Sequence, residues 1–281
     1  MKLETRQATS SYKVRGAFNT VLRMVEQYGD GGSAPPLVTA SAGNHGRALA
    51  WAVRAGGMQL TVFAPEHAPR TKLEAIAASG ATLVPCRDYD EAERRAKEHA
   101  EREGAIFISP YSHPDVIAGA GTVGLEILDE WPDVDAVVVP IGGGGLISGI
   151  ALAVRGISKN ARVLGVEVEA SCPFTRGIAA GRIVAIDVQP TLADGLAGNL
   201  DPDTLTFDIV QREVDQIALV SEARLRDAIA GLVTNEELIT EGAGAVGVAA
   251  ILAGQFDLRG KRVAIVHSGA NIDQGTLSTI L

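Results

Sequence analysis

The sequence contains little cysteine and few aromatic residues, and both shortages narrow the class of protein. Only two of its 281 residues are cysteine, Cys86 and Cys172, which excludes a disulfide scaffold and favours a reducing compartment. Aromatic residues make up 4%, so rings that could stack on bases are scarce. The net charge is −9, whereas proteins that bind phosphate backbones carry clustered Lys and Arg. We therefore expect no nucleic-acid partner.

The sequence also lacks a long apolar run. No stretch approaches the roughly 20 apolar residues that a membrane-spanning helix needs, and the N-terminus has no apolar core of a signal peptide. These features predict no membrane partner and a cytoplasmic location. What is present is an ordinary globular composition, 46% hydrophobic and 21% charged, in a chain long enough for two lobes.

Short apolar segments rich in β-branched residues alternate with amphipathic segments. This alternation predicts an α/β fold of parallel strands covered by helices. The predicted strands are 37–40, 60–64, 81–84, 105–108, 136–139, 162–166 and 261–266. The predicted helices are 45–55, 71–79, 89–103 and 146–155. Turn residues at 30–36 and at 110–114 predict passages between two lobes.

Lys13 lies among small and hydroxyl residues, just before an apolar helical pattern. A lone lysine in such a place is most often a solvated surface residue. Two later segments change this interpretation: residues 41–46 form a polar loop at a helix start, and residues 142–146 form a glycine-rich turn. An amine nucleophile, a polar loop and a phosphate cradle are together the equipment of a pyridoxal-phosphate enzyme.

Four consecutive glycines follow a predicted strand and open a helical pattern at Leu146. They are Gly142, Gly143, Gly144 and Gly145. Without side chains, their backbone N–H groups can approach an anion closely, and the helix dipole adds favourable potential. The spacing does not match the Gly-x-Gly-x-x-Gly pattern of dinucleotide folds, and the acidic partner of a ribose is not clearly present. A purely structural loop is the alternative.

The loop at 41–46 follows another predicted strand. The hydroxyl of Ser41 and the free N–H groups of the loop suit a carboxylate, and Asn44 offers an amide donor. An ordinary N-capping turn is the alternative for Ser41, and His45 by itself is better explained as a packed or capping residue than as a catalytic base. Ser268 follows the strand that ends at His267; its hydroxyl suits a heterocyclic nitrogen, and its alternative is a simple turn.

In this order, the four segments resemble the threonine/serine dehydratase group of fold type II pyridoxal-phosphate enzymes, which also contains serine racemase. Further matching segments are 116–122, 165–167, 191–196 and 241–245. The resemblance covers essentially the whole chain. It implies a two-lobed α/β fold like that of the tryptophan synthase β chain, and a homodimer. It implies a large cofactor-binding domain at 1–35 and 114–281, and a small domain at 36–113.

The resemblance also implies the roles of single residues. Lys13 would bind the cofactor covalently and later take the α-proton, Asn44 would hydrogen-bond the phenolic oxygen, and Ser268 would face the pyridine nitrogen. The residues implied to hold the phosphate are Gly142, Gly143, Gly144, Gly145 and Leu146. The residues implied to receive the substrate carboxylate are Ser41, Ala42, Gly43, Asn44 and His45.

The implied reaction removes water and ammonia from a β-hydroxy amino acid. L-threonine would give 2-oxobutyrate and ammonia, and L-serine, as second substrate, would give pyruvate. The neutral hydroxyl of Ser268 favours elimination over transamination. Ala42 occupies the position at which serine racemases resemble one another in having a second serine, the base on the opposite face of the substrate, and alanine cannot move a proton. For the metal site of the family, Glu167 matches one ligand, but Pro173 replaces an expected aspartate, and we predict no metal.

The alternatives are a hydroxyaspartate or phenylserine dehydratase, a serine racemase, and an inactive truncated cofactor-binding protein. The last arises because family members usually carry a few dozen residues before the strand with which this chain starts.

Overall fold

The computed structural model describes residues 1–29 and 34–281, which form two compact units. The larger unit comprises Met1–Tyr12 and Ala120–Leu281, and the smaller unit comprises Lys13–Gly119. Each contains one sheet whose neighbouring strands are all parallel. The predicted α/β class is thereby confirmed, as two parallel sheets with helices between their strands.

The larger unit contains a five-stranded sheet in the order β1-β9-β6-β7-β8. Its strands are β1 (Lys2–Leu3), β6 (Ala136–Pro140), β7 (Arg162–Val168), β8 (Gln216–Val220) and β9 (Val263–His267). Its helices are α6 (Gly145–Ile157), α7 (Pro173–Ala180), α8 (Thr206–Glu213), α9 (Glu222–Glu236), α10 (Gly242–Leu252) and α11 (Gln274–Ile280). Short 3-10 helices lie at Glu4–Arg6 and Asp194–Leu196.

The central strand β6 shows why its sequence forms a buried strand. All five of its residues are buried. Val137 and Val139 pack in one apolar cluster with Ile150 and Phe174, whereas Val138 packs in a second cluster with Val246. Because successive side chains of a strand point to opposite faces, a run of valines covers both faces of a sheet that is covered on both sides.

The smaller unit contains a four-stranded sheet in the order β4-β3-β2-β5. Its strands are β2 (Leu37–Ala40), β3 (Leu60–Pro65), β4 (Thr82–Cys86) and β5 (Ile106–Phe107). Its helices are α1 (Lys13–Tyr28), α2 (Asn44–Gly56), α3 (Arg70–Ala77) and α4 (Tyr89–Glu103). Helix α5 (Pro114–Glu130) begins in this unit and includes its last residue. Leu37 and Val38 point into separate cores, as the alternation along a strand requires.

The predicted strands and helices occur close to their predicted bounds, although β5 is confined to Ile106–Phe107. Strand β8, helix α5 and the helices from α7 onward were not predicted. The passage predicted at 30–36 falls mostly on residues 30–33, outside the described residues. The predicted domain bounds differ from the two compact units in the placement of α1 and of residues 114–119, and they stay a prediction.

Candidate active site

The three residues before Lys13 are held by the segment that follows β9. The amide of Tyr12 donates to the carbonyl of Ser268 at 3.0 Å, and the amide of Ala270 donates to the carbonyl of Ser10 at 3.0 Å. Between them, Ser11 and Gly269 form an antiparallel bridge. These contacts fix the backbone from which Lys13 continues, and they fix it to the segment that carries Ser268.

Ser10 has a φ of 57°, in the left-handed region. Residues other than glycine adopt this conformation at a cost of about 1–2 kcal/mol. The turn before Lys13 is therefore strained, and its hydrogen bonds to the β9 end hold it in place.

Ser268 lies at the carboxyl end of β9, where parallel sheets present ligand groups. Its side chain is buried, and its hydroxyl donates a long hydrogen bond of 3.4 Å to the carbonyl of Ala243 in the first turn of α10. The next residue, Gly269, packs closely: a Cβ there would contact the carboxylate of Glu241 and would lie 3.3 Å from the Cβ of Ser11. Close packing of these segments thus sets the position of Ser268.

The glycine-rich turn follows β6 and precedes α6. Gly144 has a φ of +85°, and a Cβ there would lie 2.5 Å from the Phe174 ring. A Cβ at Gly142 would lie 2.9 Å from the backbone of Leu196. Glycine is therefore required at both positions by space, and at Gly144 by conformation as well.

The amide groups of this turn are available to an anion. In the described part of the chain, no hydrogen bond uses the amides of Gly142, Gly143 or Gly144. Thr206 donates its hydroxyl to the carbonyl of Gly143 at 2.8 Å, which fixes the orientation of the following peptide group. Unpaired amides at the start of α6 are the donor set that a phosphate group requires.

Lys13 is the first residue of α1 in the smaller unit, and it is half-buried. Its Nζ donates to the carbonyl of Pro110 at 2.6 Å. Pro110 belongs to the segment after β5, so the amine is fixed near the carboxyl end of the smaller sheet. Two glycines allow α1 to pack closely against α5: a Cβ at Gly16 would lie 2.7 Å from the carbonyl of Val116, and one at Gly119 would lie 2.5 Å from that of Arg15.

The loop at 41–46 follows β2 and begins α2. The Ser41 oxygen accepts hydrogen bonds from the amides of Gly43 at 3.2 Å and Gly46 at 3.0 Å. The amides of Gly43 and Gly46 are therefore already paired. Ser41 itself can still donate a hydrogen bond from its hydroxyl to a carboxylate. Ala42 is buried, whereas Asn44, the first residue of α2, is half-buried.

His45 is buried to 2% exposure. The pKa of its imidazole is lowered from 6.5 to about 3. Burial is the main cause and the charge of Lys13 adds to it, whereas the backbone of Ile108 opposes the change. A neutral imidazole is therefore maintained through the physiological range, so His45 cannot act as a cationic acid there.

Glu167 is fully buried at the end of β7. Its carboxylate accepts hydrogen bonds from the amides of Phe174 and Thr175, both at 2.9 Å, and from the Thr175 hydroxyl at 2.6 Å. Burial raises the pKa of this carboxyl, and the three hydrogen bonds oppose the rise. The geometry gives Glu167 a capping role at the start of α7. Among the described residues, no three His, Cys, Asp or Glu side chains form a cluster that could hold a metal ion.

The residues predicted for the site therefore fall into two groups. Lys13 and the loop at 41–46 belong to the smaller unit, whereas the glycine turn and Ser268 belong to the larger unit. The sequence did not indicate three groups that fix these residues: the carbonyl of Pro110, the hydroxyl of Thr206, and the turn at Ser10. Of these three, only Pro110 lies in a segment that the sequence analysis singled out, the predicted passage between lobes at 110–114.

Together, these features define a class of protein. In the larger unit, the turn with unpaired amides suits a phosphate and the buried neutral hydroxyl suits a ring nitrogen; in the smaller unit, the half-buried amine suits an aldehyde. The chain belongs to the family of pyridoxal-phosphate dependent enzymes, whose family model matches residues 1–269. Pyridoxal phosphate is thus its cofactor, as predicted.

Three relatives illustrate the similarity. The chain is 41% identical to an L-threonine ammonia-lyase of Thermotoga maritima over 282 residues, which cover 100% of this chain and 69% of the relative. It resembles the structure of the processed form of threonine deaminase isoform 2 from Solanum lycopersicum with a TM-score of 0.90 and 31% identity, over 99% of this chain and 80% of the other. It resembles serine racemase from Dictyostelium discoideum with a TM-score of 0.87 and 34% identity, over 97% and 86%.

No helix in the described ranges is both long and apolar enough to cross a membrane.

Proposed function

We propose that the protein is an L-threonine dehydratase, which converts L-threonine to 2-oxobutyrate and ammonia, with L-serine as second substrate. The observation that carries the proposal is the pairing of the turn before Lys13 with the Ser268 segment, through Tyr12 and Ala270. It fixes the backbone next to the amine and the neutral hydroxyl that this elimination requires. The 41% identity to a threonine ammonia-lyase supports the same reaction.

We infer that the cofactor is held by groups from four segments. The Lys13 amine would bind its aldehyde covalently, and Asn44 would hydrogen-bond its phenolic oxygen. The unpaired amides of the glycine turn, from Gly142 to Leu146, would hold its phosphate. The Ser268 hydroxyl, whose 3.4 Å hydrogen bond to the Ala243 carbonyl is long, would instead donate its hydrogen bond to the ring nitrogen.

When bound, pyridoxal phosphate supplies an electron sink that acidifies the α-proton of the substrate and weakens its bond to the β-hydroxyl. The residues of the chain would bind and orient the amino acid and move its protons. The Ser41 hydroxyl would donate a hydrogen bond to the substrate carboxylate, because its oxygen already accepts hydrogen bonds from two amides. The freed amine of Lys13 would take the α-proton as a general base. The unsaturated amine that leaves reacts with water to form the 2-oxo acid and ammonia.

Ser268 controls the charge of the ring nitrogen in this proposal. A hydroxyl donates or accepts a hydrogen bond without carrying charge, so the nitrogen stays unprotonated. A negative charge on the α-carbon is then stabilised too weakly to persist, and departure of the β-hydroxyl competes well with transamination.

Incubation of the purified protein with candidate amino acids tests the proposal through formation of 2-oxo acids. We expect kcat/KM to be highest for L-threonine, followed by L-serine. A higher kcat/KM for 3-hydroxyaspartate or for phenylserine would show that the protein is a hydroxyaspartate dehydratase or a phenylserine dehydratase instead. Colourless protein that takes up no added cofactor would instead support an inactive chain.

We also infer that the protein forms a homodimer in the cytoplasm. Leu125, Trp131 and Leu152 of the larger unit are exposed by 43–46%, and exposed large apolar side chains favour association with a second copy. Size-exclusion chromatography with light scattering measures the mass of the protein in solution, and we expect twice the mass of one chain. A mass of 29.2 kDa, that of one chain, would contradict the dimer.

A further inference from the structure

The segment at 191–196 packs against two other parts of the larger unit. A Cβ at Gly142, in the glycine turn, would lie 2.9 Å from the Cα of Leu196. A Cβ at Gly242, the first residue of α10, would overlap the carbonyl group of Leu192. The backbone of this segment is therefore in close contact with both the glycine turn and the start of α10.

The glycine turn depends on such neighbours for its shape. In the described part of the chain, the amides of Gly142, Gly143 and Gly144 make no hydrogen bond, and glycine has more conformational freedom than any other residue. Thr206 fixes the carbonyl of Gly143 on one side of the turn. The 191–196 segment is the neighbour that contacts the turn at Gly142.

Glu222, the first residue of α9, holds the beginning of the 191–196 segment. Its carboxylate accepts a hydrogen bond from the amide of Leu192 at 3.0 Å and another from the hydroxyl of Thr191. The Thr191 oxygen in turn accepts a hydrogen bond from the amide of Ala193 at 3.0 Å. Hydrogen bonds to an ionised carboxylate are stronger than those between neutral groups. One carboxylate thus fixes three successive residues, two directly and the third through Thr191.

The 3-10 helix at Asp194–Leu196 extends this constraint to the glycine turn. The amide of Leu196 donates to the carbonyl of Ala193 at 2.8 Å, and Ala193 is fully buried. The part of Leu196 that contacts Gly142 is therefore fixed relative to Glu222. We propose that Glu222 is a positioning residue for the cofactor phosphate, because it fixes the segment against which the phosphate-binding turn packs. This role rests on the proposed function of the glycine turn as the phosphate site.

Equilibrium dialysis of the loaded protein against a series of cofactor concentrations tests this role. It gives one dissociation constant for pyridoxal phosphate and, after exchange, one for pyridoxal, which lacks the phosphate. We expect Glu222→Ala to bind pyridoxal phosphate about tenfold more weakly than the parent, as loss of charge-assisted hydrogen bonds implies. Its affinity for pyridoxal should equal that of the parent. The phosphorus NMR signal of the bound phosphate should also shift in Glu222→Ala, which reports on the phosphate environment directly.

Variants at Thr191 and Glu236 supply the controls. Thr191→Val removes the hydroxyl between Glu222 and Ala193, and it should weaken binding of pyridoxal phosphate but not of pyridoxal. Thr191→Ser keeps the hydroxyl and should bind both ligands like the parent. Glu236→Ala removes an exposed carboxylate at the last residue of α9, and it should also bind both like the parent. The double variant Glu222→Ala/Thr191→Val should bind no more weakly than the weaker single variant, because both changes break the same link.

The comparison of the two ligands separates the possible failures. Equal weakening of pyridoxal phosphate and pyridoxal binding in Glu222→Ala would overturn the positioning role, because a general loss of structure affects both ligands. An unchanged preference for pyridoxal phosphate in Glu222→Ala would also overturn it, while leaving the phosphate site intact. A parent protein that binds pyridoxal as tightly as pyridoxal phosphate would contradict the phosphate site itself, and the role of Glu222 with it.

Discussion

The backbone amide of Tyr12 donates a hydrogen bond to the carbonyl oxygen of Ser268 at 3.0 Å. Tyr12 immediately precedes Lys13, and Ser268 immediately follows β9. One backbone contact thus joins the residue next to the proposed nucleophile to the residue proposed to face the ring nitrogen. Because the contact uses main-chain atoms, it depends on the path of the two segments rather than on the side chain at position 12.

Lys13→Ala should abolish 2-oxo acid formation, because the variant lacks both the covalent attachment point and the proposed base. Borohydride treatment of the parent should fix the cofactor on the peptide that contains Lys13, which peptide mass spectrometry detects. Lys97→Ala is the matched control, since Lys97 forms a surface pair with Glu93, and it should keep full activity. Label recovered on Lys72 or Lys97 would refute the assignment.

Ser268→Asp should protonate the ring nitrogen by placing a carboxylate beside it. We expect a persistent long-wavelength absorption band and a lower ratio of elimination to side reactions. Ser268→Ala is the neutral control, and it should lower cofactor affinity without producing the band. If Ser268→Asp eliminates as fast as the parent and has the same spectrum, the role of the neutral hydroxyl is wrong.

The unmodified protein should eliminate without appreciable racemisation. Ala42 is buried beside Ser41 in the carboxylate loop and has no proton to transfer. Since positioned acid–base groups contribute about 10²–10⁴-fold, D-serine formed from L-serine should be a trace beside pyruvate in a chiral assay. Ala42→Ser should raise the D-serine fraction, whereas Ala42→Gly should not. Comparable rates of D-serine and pyruvate formation by the parent would favour a racemase.

Ser10→Gly should stabilise the protein by about 0.5–1 kcal/mol, since glycine relieves the left-handed strain but costs some chain entropy. The amide and carbonyl of Ser10 keep their hydrogen bonds in the variant. Denaturant unfolding at fixed cofactor concentration measures the change. Glu237→Gly, at φ 55° after α9, is a control remote from the site and should give a similar gain. A loss of stability in Ser10→Gly alone would show that the side chain itself is needed.

His45 should make stability depend on pH. Its folded-state pKa is about 3 and its ordinary value is 6.5, so between these values the unfolded chain binds a proton that the folded chain excludes. The contribution is complete above pH 6.5 and is lost as the pH falls from 6.5 towards 3, with a slope of at most about 1.4 kcal/mol per pH unit. His45→Gln should flatten unfolding free energy against pH in that window. The control His67→Gln, at an exposed position, should keep the pH dependence of the parent. Equal slopes of unfolding free energy against pH in the parent, His45→Gln and His67→Gln would contradict this account.

Much of the candidate site could be predicted from the sequence because its signals are local. Space requires glycine at Gly142 and Gly144, and conformation requires it at Gly144 as well; the run at 142–145 stands between a buried strand and a helix. The loop at 41–46 stands in the same relation to β2 and α2. Strand β8 was missed because only Ala218 and Val220 of its five residues are buried, which leaves a weak apolar pattern.

The sequence by itself determined the alternation of strands and helices, the residues able to serve a phosphate and an aldehyde, and the family. Only the tertiary structure decided that the amine of Lys13 donates to Pro110, that Thr206 orients the glycine turn, and that Glu167 caps α7. The physical reason is range. Propensity and periodicity act between neighbours in the chain, whereas each of these hydrogen bonds joins separate segments whose approach depends on packing of the whole unit.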